Sequence, residues 1–216
     1  MLPFSDTHDT GVQPSGEHKL FYAYMDNRMS EALPGRFATC PHCRGHVGSK
    51  CGPLVSWHWA HVSGAECDPW SEGETEWHKW WKSAAPIERR EVSIGSHRAD
   101  VIAGDGAVCE LQHSPIAYGD ARMRESFYGD MRWLFDARDK GFEIEQKRGG
   151  AVSVHRPHAW PSIAHCARRV MLDLGAGLVV SLENVNESGS SGYGYTYPYQ
   201  TVRMWLAGPA HWAVSR

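Results

Sequence analysis

Two acids on neighbouring strands, Asp100 and Glu110, are the side chains whose type and spacing point most directly to chemistry. Residues 97–114 read as a β-hairpin. Residues 98–103 form one strand and 107–112 the next, with Gly104-Asp105-Gly106 supplying the turn. A three-residue turn centred on Asp105 pairs Ala103 with Ala107, Ile102 with Val108 and Asp100 with Glu110. Carboxylates opposed in this way have Cβ atoms roughly 5 Å apart and repel each other unless something lies between them. A divalent cation is the candidate, because hard ions take oxygen ligands. Gln112 points from the same face as Glu110, about 6.6 Å along the strand. A two-residue turn would send the acids to opposite faces, so the chemistry depends on the register.

The element just before this hairpin must position its partners. Residues 69–85 read as a helix, with Ser71 as N-cap, Glu72 and Glu74 in the first turn, and Pro86 as its stop. Glu74, His78 and Lys82 then share one face. Taken alone, they would be a solvated face with ordinary ion pairs. Their place next to the acidic hairpin favours a functional role. Trp77 and Trp81 lie on an adjoining stripe and belong to the core. Cys109 faces away from Glu110 and is a core residue as well.

A second constellation lies upstream. Cys40-Pro41-His42-Cys43 is a knuckle that offers two thiolates to a tetrahedral zinc. The second ligand pair comes from His58, His61, Cys67 or, less favoured, Cys51. The preferred set is Cys40, Cys43, His61 and Cys67, and the alternative puts His58 in place of Cys67. The competing reading is a redox Cys-x-x-Cys. A structural zinc would give a short segment a fold that its own core cannot sustain.

The bulk composition narrows the class. With 216 residues the chain can form one sizeable domain, or one with a small appendage. The net charge of −3 argues against a protein that coats nucleic acid nonspecifically. It leaves room for a nucleic-acid enzyme whose basic residues are local. No long uncharged apolar run and no secretory pattern occur, so a cytoplasmic location is expected. In that compartment six Cys read as metal ligands or buried thiols.

The remaining chain organises around these parts. Residues 1–17 read as a loose arm, 18–68 as the zinc module, 69–183 as the catalytic core, and 184–216 as a Gly/Ser/Tyr-rich loop with a closing element. Residues 18–29 suggest a strand or short helix. Strands are expected over 88–94, 131–135, 142–146, 152–155, 169–174 and 178–182, with a helix over 118–128. A hairpin followed by a helix and another strand suits an α/β sheet flanked by helices. Residues 184–199 are expected to be a mobile loop, and 201–212 to close the fold as a helix or a strand.

The order of the motifs CPHC, HWAH, ETEWHKWWK, RAD and ELQHSPI resembles the competence protein CoiA-like family across about residues 38–135. The matching positions are Cys40 and Cys43; His58 and His61; Glu74, His78 and Lys82; Arg98, Asp100 and Val101; Glu110, Gln112 and Ser114; then Arg122 or Arg124 with Tyr128. Thr75 stands where the family usually has Ser, and Trp59 where it has Phe. The resemblance implies a restriction-endonuclease-like PD-(D/E)XK core, a mixed sheet flanked by helices, behind a zinc-binding module. It implies DNA hydrolysis with Mg²⁺ or Mn²⁺ held by Asp100, Glu110 and the Leu111 carbonyl. Glu74 would complete the metal shell, His78 would shuttle a proton or touch phosphate, and Lys82 would supply positive charge. Many nucleases of this class have Lys where Gln112 stands, so Gln112 would orient water or substrate. The substrate would be single-stranded or branched DNA in uptake, recombination, repair or defence, and a homodimer is compatible. Two other readings stay open: a DNA-binding module without activity, and a zinc-stabilised interaction protein with structural acids.

Overall fold

Residues 19–63, 67, 68, 70 and 74–208 are described by a computed structural model, and their strands form two sheets. The arm over 1–17, the cap at Ser71 with Glu72, and 209–216 lie outside the described residues.

The first sheet contains β1 (Lys19–Leu20), β2 (Tyr22–Met25), β3 (Arg28–Glu31), β4 (Phe37–Thr39), β5 (His46–Lys50) and β6 (His58–His61). Their order across the sheet is β1-β6-β5-β4-β2-β3. Asp26 and Asn27 both take positive φ, as a two-residue hairpin turn requires, and close β2 onto β3. Trp59, Leu20, Val47 and Cys40 fill the small core beneath it. Residues 18–29 are therefore strand rather than helix.

The second sheet carries β7 (Arg90–Ile94), β8 (His97–Ile102), β9 (Val108–Gln112), β10 (Met131–Asp136), β11 (Glu143–Gln146), β12 (Ala151–His155), β13 (Arg169–Asp173), β14 (Leu178–Val185) and β15 (Ser191–Pro198). Its order is β11-β12-β15-β14-β13-β10-β9-β8-β7. The central strands β9, β10 and β13 run parallel and the other pairings are antiparallel. The parallel step from β9 to β10 needs a crossover, which α2 (Tyr118–Tyr128) supplies. Ala121 of α2 and Ile163 of α3 (Pro161–His165) pack with Trp133, Phe135 and Trp160 on one face. Trp77 and Trp81 of α1 (Glu76–Lys82) pack with Val202, Trp205 and Leu206 of α4 (Tyr199–Ala207), together with Cys109 and Leu111, in a second core. The result is a mixed α/β architecture, rich in strand and with few helices.

Two expectations are corrected. The loop expected over 184–199 is mostly strand: β14 runs on to Val185, β15 occupies Ser191–Pro198, and the two pair with a bulge between Leu182 and Asn184. Gly194 makes this possible, since a Cβ there would stand 2.0 Å from the Ser181 carbonyl oxygen. The closing element is the helix α4. The helix expected over 69–85 is only Glu76–Lys82 and is capped by Thr75. Glu74 therefore precedes the helix instead of sharing its face.

Candidate active site and metal centre

The hairpin register is the three-residue one. Val101 pairs with Cys109 and Ile102 with Val108, and Ala103 N–H donates to the Ala107 carbonyl (2.9 Å). Towards Asp100 the two strands part, and the carboxylates take over the backbone bonding. Leu111 N–H donates to Asp100 Oδ2 (2.9 Å) and Asp100 N–H to Glu110 Oε1 (3.3 Å). The acids do not meet head-on, because each also has its own cation. Lys82 Nζ lies 2.8 Å from Asp100 Oδ1, and Arg124 Nη1 3.1 Å from Glu110 Oε2.

Lys82 is fully buried and bonds Glu74, Glu91 and Asp100 together. Burial opposes its charge, but Asp100, Glu74 and Glu91 outweigh that and hold the ammonium firmly protonated. Burial likewise acts to raise the Asp100 pKa, and Lys82 overrides it, so Asp100 stays ionised. Glu74 and Glu110 go the other way. Desolvation pushes Glu74 up to about 8 and, with Asp100 adding repulsion, Glu110 up to about 7. Glu74 Oε2 is buried with no hydrogen-bond partner among the described residues.

His78 is tied to backbone at both nitrogens. Thr75 N–H donates to Nδ1 (3.1 Å), which leaves the proton on Nε2, donated to the Leu111 carbonyl (3.2 Å). Burial lowers its pKa to about 4, so it is neutral at ordinary pH. This geometry makes it a strut between α1 and β9. Gln112 is fully buried and its amide donates to the Ser114 carbonyl (2.8 Å). It does not line the pocket formed by Glu74, His78, Arg98, Asp100, Glu110 and Leu111 together with Trp70 and Arg124. The pocket thus brings together Glu74, His78, Asp100, Glu110 and Leu111, with Lys82 bonded to two of its acids.

Glu91 and His113 escaped the sequence reading, whereas Arg98 was among its matched positions. Glu91 is fully buried, binds Lys82 (3.2 Å) and accepts Phe21 N–H (3.3 Å), so it links the first sheet to the site. Its φ of +51° is strained for a non-glycine residue within a strand. Arg98 stays charged because Glu91, Glu74 and Asp100 outweigh the penalty of burial. His113, next after Gln112, gives Nδ1 to the buried Asp136 carboxylate (3.0 Å) and has a half-exposed ring.

The upstream centre gathers Cys40, Cys43, His61 and Cys67, whose ligand atoms all lie within 4.8 Å of one another. Cys40 and Cys67 sulfurs are 3.5 Å apart, and Cys43 Sγ is 3.2 Å from His61 Nε2. Zinc–sulfur bonds of about 2.3 Å in a tetrahedron put sulfurs about 3.8 Å apart, close to this spacing. The knuckle stabilises thiolate, with His42 N–H on Cys40 Sγ and Gly45 N–H on Cys43 Sγ, each 3.4 Å. A hydrogen bond from Cys67 pulls the Cys40 thiol well below its ordinary value. Gly45 allows the close approach, since a Cβ there would meet Cys43 Sγ at 3.2 Å. The group can hold a metal such as zinc. His58 turns its Nδ1 to the Ser56 carbonyl (2.7 Å), and neither it nor Cys51 belongs to the cluster.

No family model, curated protein or solved structure matches the chain. Among the described residues no helix is long and apolar enough to cross a membrane.

Proposed function

We propose that the protein is a metal-dependent deoxyribonuclease of the PD-(D/E)XK type, CoiA-like in organisation, with a structural zinc in its N-terminal module. The observation that carries this reading is the parted hairpin. It brings Asp100, Glu110 and Leu111 to one pocket, with a buried lysine beside them. The donors are all oxygen, and the orphaned Glu74 Oε2 offers one more, which fits Mg²⁺ or Mn²⁺. Asp100, Glu110 and the Leu111 carbonyl would hold the ion, with Glu74 beside them. When bound, such an ion activates water and stabilises charge on phosphate.

The chain's own groups define the rest. Lys82 keeps Asp100 ionised and supplies the positive charge that a lysine at position 112 would otherwise bring. Arg98 and Arg124 line the pocket as guanidinium groups suited to a phosphodiester. His78 fixes the Leu111 carbonyl and holds its proton in a backbone bond, so it orients the site rather than relaying protons. The substrate is DNA with single-stranded or branched character.

One observation favours a second reading. Gln112 is turned to the Ser114 carbonyl and leaves the pocket without a strand-borne lysine, as in a module that binds DNA without cutting it. Cleavage assays with Mg²⁺ and Mn²⁺ on single-stranded, duplex and branched DNA separate the two. The nuclease reading requires cleavage by wild type that Asp100→Asn abolishes. Intact DNA in both, with binding retained, selects the binding module.

A further inference from the structure

A cleft of about 560 Å³ lies on the other side of α1, outside the carboxyl ends of β10 and β13. Clefts at the carboxyl ends of parallel strands are where open α/β sheets take ligands. The wall of this one is aromatic and rigid. The Asp173 carboxylate accepts Trp77 Nε1 (2.8 Å), Trp81 Nε1 (3.0 Å), Gly175 N–H (2.9 Å) and the Tyr199 hydroxyl, so three rings are fixed by their polar tips. Trp80 stands beside Tyr199 with ring centroids 5.3 Å apart and remains 42% exposed. The Arg203 guanidinium stacks 4.3 Å from the Trp80 centroid and does not line the cleft, so it backs the ring. An exposed tryptophan held in this way gives a stacking surface whose ordering entropy is already lost.

A fixed cation sits at the rim. Arg138 binds Asp136 through Nε and Nη2, each at 2.8 Å, which leaves its Nη1 edge for an anion. The same Asp136 orients His113, whose ring centroid is 6.2 Å from that of His78 in the catalytic pocket. Asp136 thus links His113, beside His78, to Arg138 at the cleft that Trp80 borders. Glu76, exposed at the start of α1, also borders the cleft and repels phosphate from that end.

We propose that this cleft seats one unpaired nucleotide of the DNA strand leaving the catalytic pocket. Its base stacks on Trp80 with the tilted Tyr199 ring beside it, and its phosphate pairs with Arg138. A base within a duplex has no free face to offer, so the cleft selects single strand. The inference rests on the DNA reading above and adds the path of the strand.

The test measures anisotropy of a fluorescein-labelled single-stranded oligonucleotide and of its duplex with the full chain, in the Asp100→Asn background. Trp80→Ala is expected to weaken single-strand binding roughly 5- to 150-fold, the effect of one lost base–aromatic stack. Arg138→Gln weakens it in the same direction, Trp80→Phe retains most of it, and duplex binding changes less than twofold. If Trp80→Ala fails to fold by circular dichroism, Arg138→Gln decides. Single-strand affinity within twofold of the parent, or an equal loss with duplex, overturns the proposal. Cleavage by wild type with unaffected cleft variants removes the cleft alone. Weakened cleft variants with an inert wild type remove the nuclease reading alone.

Discussion

Lys82 is the residue on which the site's electrostatics depend. It is an ammonium with no solvent exposure, bonded to three carboxylates. Removing one partner of a buried ion pair leaves uncompensated charge and costs about 3–5 kcal/mol. Lys82→Met is therefore expected to lose about that much in urea unfolding, with a smaller deficit at pH 5 than at pH 8, because Glu74, titrating at about 8, is a neutral acid at pH 5 and leaves less uncompensated charge. Three groups of the site contribute to the pH dependence of the metal-free wild type. Glu74 and Glu110, raised to about 8 and about 7 from an ordinary 4.5, stabilise the fold at low pH and lose that contribution as pH rises through those values. His78, lowered to about 4 from 6.5, contributes stability at higher pH that is lost as pH falls through about 4. Between pH 6.5 and 8.5 the glutamates lower stability as pH rises, and Cys40, whose thiol is pulled down to about 4, opposes them. Glu110→Gln removes the loss that Glu110 contributes between about 4.5 and about 7, which thermal melts of wild type and variant across pH would register. An unchanged slope in that variant would contradict the assignment.

At the scale of elements, turn chemistry and alternation were legible where side chains state them plainly. Gly104-Asp105-Gly106 predicts the three-residue turn, and Ala103 and Ala107 do face each other across it. The span expected for α2 matches Tyr118–Tyr128. The start of α1 was not legible, because its capping box pairs Thr75 with His78 where the usual signal is a Glu or Gln. Glu91 read only as one residue of the strand expected over 88–94, since nothing in the sequence announces a positive φ there. The β15 strand was hidden by composition. Its Gly and Ser suggest a loop, yet Tyr193, Tyr195 and Tyr197 alternate with the period of a strand. Gly194 is tightly packed against β14, so Gly194→Ala is expected to destabilise by about 1–3 kcal/mol. Gly119→Ala, where a Cβ meets nothing within 4 Å, is expected to stay within about 0.5 kcal/mol of wild type. Denaturant melts of both variants check the contrast.

Across the whole molecule, the candidate metal centre and the candidate active site are joined by hydrogen bonds. His42 of the knuckle hydrogen-bonds Ser93 of β7 (3.2 Å), Arg90 reaches the Tyr22 hydroxyl (2.8 Å), and Glu91 bonds both Phe21 N–H and Lys82. The ligand cluster was read from a Cys-x-x-Cys followed at short range by His and Cys. Its choice over His58 and Cys51 needed three dimensions, since spacing alone allowed either. Elemental analysis is expected to find one zinc in wild type and in Cys51→Ser, and to find it lost in Cys67→Ser. Zinc retained by Cys67→Ser would exclude that ligand set. The central claim is that the parted hairpin cuts DNA with a divalent ion. The most direct test incubates purified wild type and Asp100→Asn with single-stranded, duplex and branched DNA in Mn²⁺ and in Mg²⁺. Cleavage of an unpaired or branched substrate by wild type, lost in Asp100→Asn and on adding a chelator, is the result expected. Intact DNA throughout, or equal cleavage by both proteins, would contradict it.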